Sequence, residues 1–219
     1  MGVVAHATYR PCLIFTNAEY VDVINLFDTH CHFDVDSFSP DRDAQWQHAN
    51  AQGVTAMVIP AIAPKGWQSL AALTARYPQM YFGLGVHPHG IGSVALPHHF
   101  SALQTELLTV GNAHAERWVA IGECGLDALI DVPLATQKQW LDWHIELSAM
   151  TQKPLIVHCV KAHNEALRWI GSRQRDRGGV IHAFSGSYDT AMQWIERGFT
   201  LGVGGVITYE RANKTRKAI

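Results

Sequence analysis

Short apolar runs bounded by turn residues alternate along this chain with longer segments whose apolar positions recur at helical spacing. The runs predict strands near 23–29, 54–62, 81–87, 118–124, 154–159, 179–184 and 199–207. The segments between them predict helices near 40–52, 65–77, 98–114, 135–152, 162–176 and 187–197. In the last helix Ala191, Met192 and Ile195 fall on one side, as in an amphipathic helix lying on a sheet. Gly53, Gly83, Gly178 and Gly198 precede or begin strands, where helix-to-strand turns need them. Strands that are apolar at nearly every position belong in a parallel sheet covered by helices, because a half-exposed sheet would alternate.

The strand ends decide between two parallel architectures. The first strand runs into His30-Cys31-His32, the fourth ends on Glu123, the fifth on His158 and the sixth on His182. Metal-ligating residues at the same end of four separate strands describe the mouth of a β/α barrel. An open, doubly wound sheet would gather its ligands at a single switch point. The predicted fold is therefore α/β, a TIM (β/α) barrel. A complete barrel takes about 250 residues. The chain has 219, of which 1–22 read as an N-terminal extension, disordered or from a mis-assigned start. Residues 23–219 then form a barrel lacking its eighth strand and last helices, whose two open edges would favour association between chains.

Composition narrows the classes of partner. A hydrophobic share of 47% is enough for one sizeable core. With 17 Lys and Arg against 19 Asp and Glu, no long-range positive field is expected. That argues against coating a duplex groove but leaves room for a pocket that grips one strand end. The run Cys12-Leu13-Ile14-Phe15 is too brief for a secretory core and no stretch is long enough to span a membrane, so a cytoplasmic protein is expected. Cys12, Cys31, Cys124 and Cys159 contain no CxxC pair and read as small buried hydrophobes in a reducing compartment.

Chemistry enters through the ligand set. Strand alternation aims His30 and His32 at one face, where they can share an ion; in isolation such a pair is more often a surface or core feature. A carboxylate at the inner end of an apolar strand must be paired, protonated or metal-bound, and Glu123 beside these histidines is placed to bridge two ions. His158 and His182, each satisfied core residues if read alone, complete a two-metal site. Such sites supply a nucleophilic water and hold the oxygens of a displaced ester.

These residues sit in Asp28-Thr29-His30-Cys31-His32-Phe33-Asp34, Gly85-Val86-His87-Pro88, Ile121-Gly122-Glu123-Cys124-Gly125-Leu126-Asp127, Ile156-Val157-His158 and His182-Ala183-Phe184-Ser185-Gly186-Ser187. In these motifs, from Phe27 onward, the chain resembles TatD-type metal-dependent hydrolases of the amidohydrolase superfamily. Its tail Gly202 to Tyr209 is similar to a YjjV-like bacterial subgroup. The resemblance implies a barrel of the metal-dependent hydrolase type that binds two divalent ions (zinc, magnesium or manganese). It implies hydrolysis of phosphodiesters, as a deoxyribonuclease acting on DNA ends, and a monomer at full length. His30 and His32 would hold the first ion and His158 and His182 the second, with Glu123 bridging. His87 would stand close to the scissile group, or else be a core histidine. Asp127 reads as a loop residue supporting the strand of Glu123, not as a ligand. The family's Ser-Arg after the fifth-strand histidine is Cys159-Val160 here, leaving Lys161 as a substitute cation for phosphate. The family's last ligand, an Asp ending strand eight, has no counterpart, and Glu210 lies in the wrong place to replace it. The basic stretch 211–217 is either a solvated helix start or a set of phosphate contacts. Two alternatives remain: a catalytically impaired fragment that only binds metal, and an amide or ester hydrolase of small molecules.

Overall fold

The computed structural model describes residues 25–94, 100–171 and 177–219. Seven parallel strands pair in chain order: β1 (Leu26–Asp28), β2 (Val54–Pro60), β3 (Met80–Leu84), β4 (Trp118–Asp127), β5 (Leu155–Val160), β6 (Gly179–Ile181) and β7 (Phe199–Leu201). Helices α1 (Arg42–Ala51), α2 (Trp67–Ala75), α3 (Phe100–Ala113), α4 (Leu134–Thr151), α5 (His163–Ile170) and α6 (Tyr188–Ile195) alternate with them, and α7 (Asn213–Arg216) follows. The expected 1–22 extension, Cys12, the first two residues of the helix predicted at 98–114 and the stretch 172–176 lie outside the described residues.

The sheet curls. Leu26, Val58, Tyr81, Ala120, Ile156, Val180 and Thr200, one from each strand, line a single groove of about 690 Å³. Among the described residues β1 and β7 each pair with one neighbour, so the curl is open between them. Leu26 and Phe27 are 44% and 38% exposed at that edge, although both are apolar. The opposite face of the sheet is packed by helices through Ile59, Trp67, Leu70, Phe82, Leu84, Ile121, Leu141, Ile181 and Trp194. The inner face holds a smaller cluster, Val58, Ala120 and Ile156. Apolar residues on both faces account for the near-continuous runs in the sequence.

Three strands differ from expectation in ways that matter to the site. β4 continues to Asp127, past the predicted end at 124, and Asp127 is a strand residue rather than a loop one. β6 and β7 are only three residues each. Ala183 takes a left-handed φ of 43° just beyond β6, and the glycines at 202, 204 and 205 give the chain after β7 little to pair or pack, so a 3-10 turn at Gly205–Thr208 replaces the predicted strand end.

The pairing of β4 with β5 steps from Ile121↔Leu155 to Cys124↔Val157, three residues opposite two. This bulge re-aims the side chains between those positions, a common device beside functional sites. The strands approach closely around it. Gly125 has a φ of 141°, and a Cβ there would lie 1.9 Å from His158 O. Only glycine lets β4 run this close to His158.

Candidate metal centre

The chain leaves β1 in a turn held by Asp28, whose Oδ1 accepts from His30 N at 3.0 Å. Cys31 N then donates to Val58 O, tying the His30-x-His32 segment to β2. Both imidazoles reach the buried end of Glu123. His30 Nε2 lies 3.1 Å and His32 Nε2 3.2 Å from Glu123 Oε2, and the two Nε2 atoms are 3.4 Å apart. Ligands about 2.0–2.1 Å from a tetrahedral ion stand roughly 3.3 Å from one another, so this triangle has the span of three ligands on one divalent ion. Glu123 Oε2 is buried without a hydrogen-bond partner, an orphan that a cation would satisfy.

The other carboxylate oxygen faces a second group. His158 Nδ1 is 3.3 Å and His87 Nε2 3.5 Å from Glu123 Oε1. His87 Nδ1 accepts from His89 N at 3.0 Å, which leaves the ring proton of a neutral His87 on Nε2, pointed at Glu123. Glu123, 1% exposed, thus stands between two groups of nitrogen donors, one on each oxygen. Burial alone would raise its pKa; the imidazoles of His158, His30, His32 and His87 close around it outweigh that and hold the carboxyl well below the usual range. The nearby Glu123 carboxylate raises His32. His158 is also raised, because Glu123 and Asp127 overcome the opposing effect of burial. Burial lowers His87 despite Glu123.

His30, His32, Glu123, His158 and His87 are therefore brought together. His182 is brought to a different place: its ring stacks on His30, with centroids 3.4 Å apart and planes 14° from parallel. It is absent from the ligand groups found among the described residues. Burial, reinforced by His30, lowers its pKa to about 4. Lys161, exposed with a left-handed φ of 53°, lines a separate pocket of about 420 Å³ with His163, Asn164, Ser187 and Lys214. In the basic stretch, Arg216 donates to the carbonyls of Ile207, Tyr209 and Glu210 and to Asn213 Oδ1, so its guanidinium fastens the turn before α7.

Sequence reasoning missed two residues. Asp127 Oδ2 lies 2.9 Å from His158 Nε2 and 3.2 Å from Nε2 of His89, a 57% exposed side chain. The signal was present for Asp127: four residues on from Glu123, strand alternation returns a side chain to the same face. For His89 it was the His-x-His spacing of His87-Pro88-His89, which repeats that of His30 and His32.

The chain is similar over most of its length to known proteins. The model of the family described as TatD related DNase matches residues 27–219. The metal-dependent hydrolase YjjV of Escherichia coli is 35% identical over 198 residues, covering 90% of this chain and 74% of that protein. Its crystal structure superposes with a TM-score of 0.80 at 34% identity, over 88% of this chain and 73% of that one. The 3'-5' ssDNA/RNA exonuclease TatD of Salmonella typhimurium is 29% identical, over 85% of this chain and 70% of its own length. By sequence, by fold and by the family model, the chain belongs to the TatD family of metal-dependent hydrolases.

Proposed function

We propose that this protein hydrolyses phosphodiester bonds at the ends of single-stranded nucleic acid, DNA above all, with two divalent ions held by His30, His32, Glu123 and His158. The observation that carries the reading is Glu123, buried between two sets of imidazole nitrogens with one oxygen orphaned. A carboxylate so placed holds two cations close together. His182, whose ring stacks on His30 beside these ligands, would be a further nitrogen donor to the ions. When bound, the ions polarise the phosphate oxygens and lower the pKa of water to near neutrality.

The chain's own residues do the rest. His87 directs its Nε2 proton into the site and donates to a phosphate oxygen or to the leaving oxygen. Lys161 offers a point charge to a phosphate farther along the strand, in a pocket also lined by Lys214. The near-neutral net charge of −2 suits a site that grips one end rather than a groove.

The test is metal-dependent cleavage of an end-labelled single-stranded oligonucleotide by the parent and by Glu123→Gln. The substitution keeps the shape and removes the bridging charge, so the rate should fall by roughly two orders of magnitude or more while the circular dichroism persists. Equal rates would refute the two-ion reading. Stoichiometric metal in a parent that cleaves no oligonucleotide would refute the phosphodiesterase assignment and favour binding without turnover.

A further inference from the structure

His158 lies between two carboxylates, one at each ring nitrogen. Nδ1 is 3.3 Å from Glu123 Oε1 and Nε2 is 2.9 Å from Asp127 Oδ2. A neutral imidazole carries one N–H and one lone pair. The position of that proton decides whether His158 can offer a lone pair to an ion beside Glu123.

The surroundings of Asp127 are the more rigid. Its Oδ1 accepts from Leu129 N at 2.9 Å. Its backbone is clamped by the fully buried Gln137 of α4, which accepts from Asp127 N at 2.7 Å and donates to Asp127 O at 2.9 Å. Glu123, by contrast, is shared among four imidazoles. We propose that Asp127 is a positioning residue, which keeps the His158 proton on Nε2 and so leaves the Nδ1 lone pair facing the Glu123 side. This rests on the metal-hydrolase reading of the site, but it concerns a property of the metal-free protein.

His89, Asp127 and His158 come close enough to resemble a further ion site. An ion there would need the lone pair on His158 Nε2, and the nitrogen that donates to Asp127 has none. His89 Nε2 instead donates to the second lone pair of Asp127 Oδ2 from the solvent side. Asp127 is thus a hub of donors: Leu129 N, His158 and His89 all point at its carboxylate, and it orients the ring that faces the centre.

The experiment is long-range proton–nitrogen correlation NMR on metal-free protein carrying 15N-histidine, with the pH brought upward from about 8.5 until the His158 ring shows a single N–H, since Glu123 and Asp127 raise its pKa. The His158 signals are identified by their loss in His158→Gln. The parent should show an unprotonated Nδ1 and a protonated Nε2. Asp127→Asn is the informative variant. Leu129 N–H retains the amide oxygen, the introduced NH2 faces His158 Nε2 donor to donor, and the proton moves to Nδ1. Zinc affinity, measured against a chromophoric chelator, should then fall about 10- to 100-fold. A merely structural role would leave the tautomer unmoved, because the amide keeps the shape and the Leu129 bond. A parent with its proton on Nδ1 overturns the proposal outright, whether or not the variant folds, and so does a folded variant that keeps Nε2–H. Failure of the two readings is distinguishable. An Nε2–H parent that cleaves no oligonucleotide leaves Asp127 in its role and removes the phosphodiesterase; an active parent with Nδ1–H does the reverse.

Discussion

His144 offers a test of how α4 fixes the loop that carries His87. It is fully buried, its Nδ1 donates to Trp140 O at 2.6 Å within its own helix, and its Nε2 accepts from Val86 N at 2.8 Å. Val86 immediately precedes His87, so this bond spans from the outer helix layer to the site. His144→Leu nearly preserves the volume but orphans a buried backbone N–H, which costs about 1–3 kcal/mol. A second consequence is pH dependence. Burial lowers the His144 pKa from 6.5 to about 4. The unfolded chain therefore binds this proton first as pH falls, and stability is lost between those two values. The full loss corresponds to ~3 kcal/mol, present above pH ~6.5 and gone below pH ~4. Urea unfolding followed by circular dichroism, from pH ~7.5 down to ~4.5, measures both effects. The variant should be the less stable at neutral pH, and the gap should close or reverse on acidification. Burial also lowers His87, His163 and His182, but these are common to both proteins and cancel in the difference. Parallel stability curves for parent and variant would show that His144 is not the neutral acceptor described here.

Three further outcomes are expected. Elemental analysis should find bound zinc reduced by about one ion per chain in His158→Ala/His182→Ala, and metal undiminished in that double variant would sink His158 and His182 as ligands. Gly125→Ala should destabilise by about 3 kcal/mol or more, since its Cβ would lie 1.9 Å from His158 O at a left-handed φ; a near-neutral value in urea unfolding would mean that β4 and β5 are not so closely apposed. The open edge at β1, with Phe27 38% exposed, should promote association, and Phe27→Lys should raise the monomer fraction in size-exclusion chromatography. An unchanged elution profile would show that this edge is not the contact.

The order and type of the elements were legible in the sequence, as were His30, His32, Glu123 and His158 as one group, because each rests on local information. Apolar runs report strands buried on both faces, and a polar residue closing such a run must find a partner or a cation. Tertiary structure alone decided the rest. The bulge at Gly122-Glu123 depends on how β4 registers against β5, and no pattern within β4 announces it. Asp127 read as a loop residue because the predicted strand stopped at 124; pairing with β5 carries β4 on to Asp127, whose carboxylate lies on His158. His182 was legible as a site residue but not as a ring stacked on His30, since stacking depends on where β6 lies relative to the turn after β1. A sequence names the groups that burial will force to find partners. Which partner each one finds is set by distances across strands, and those exist only once the sheet has curled.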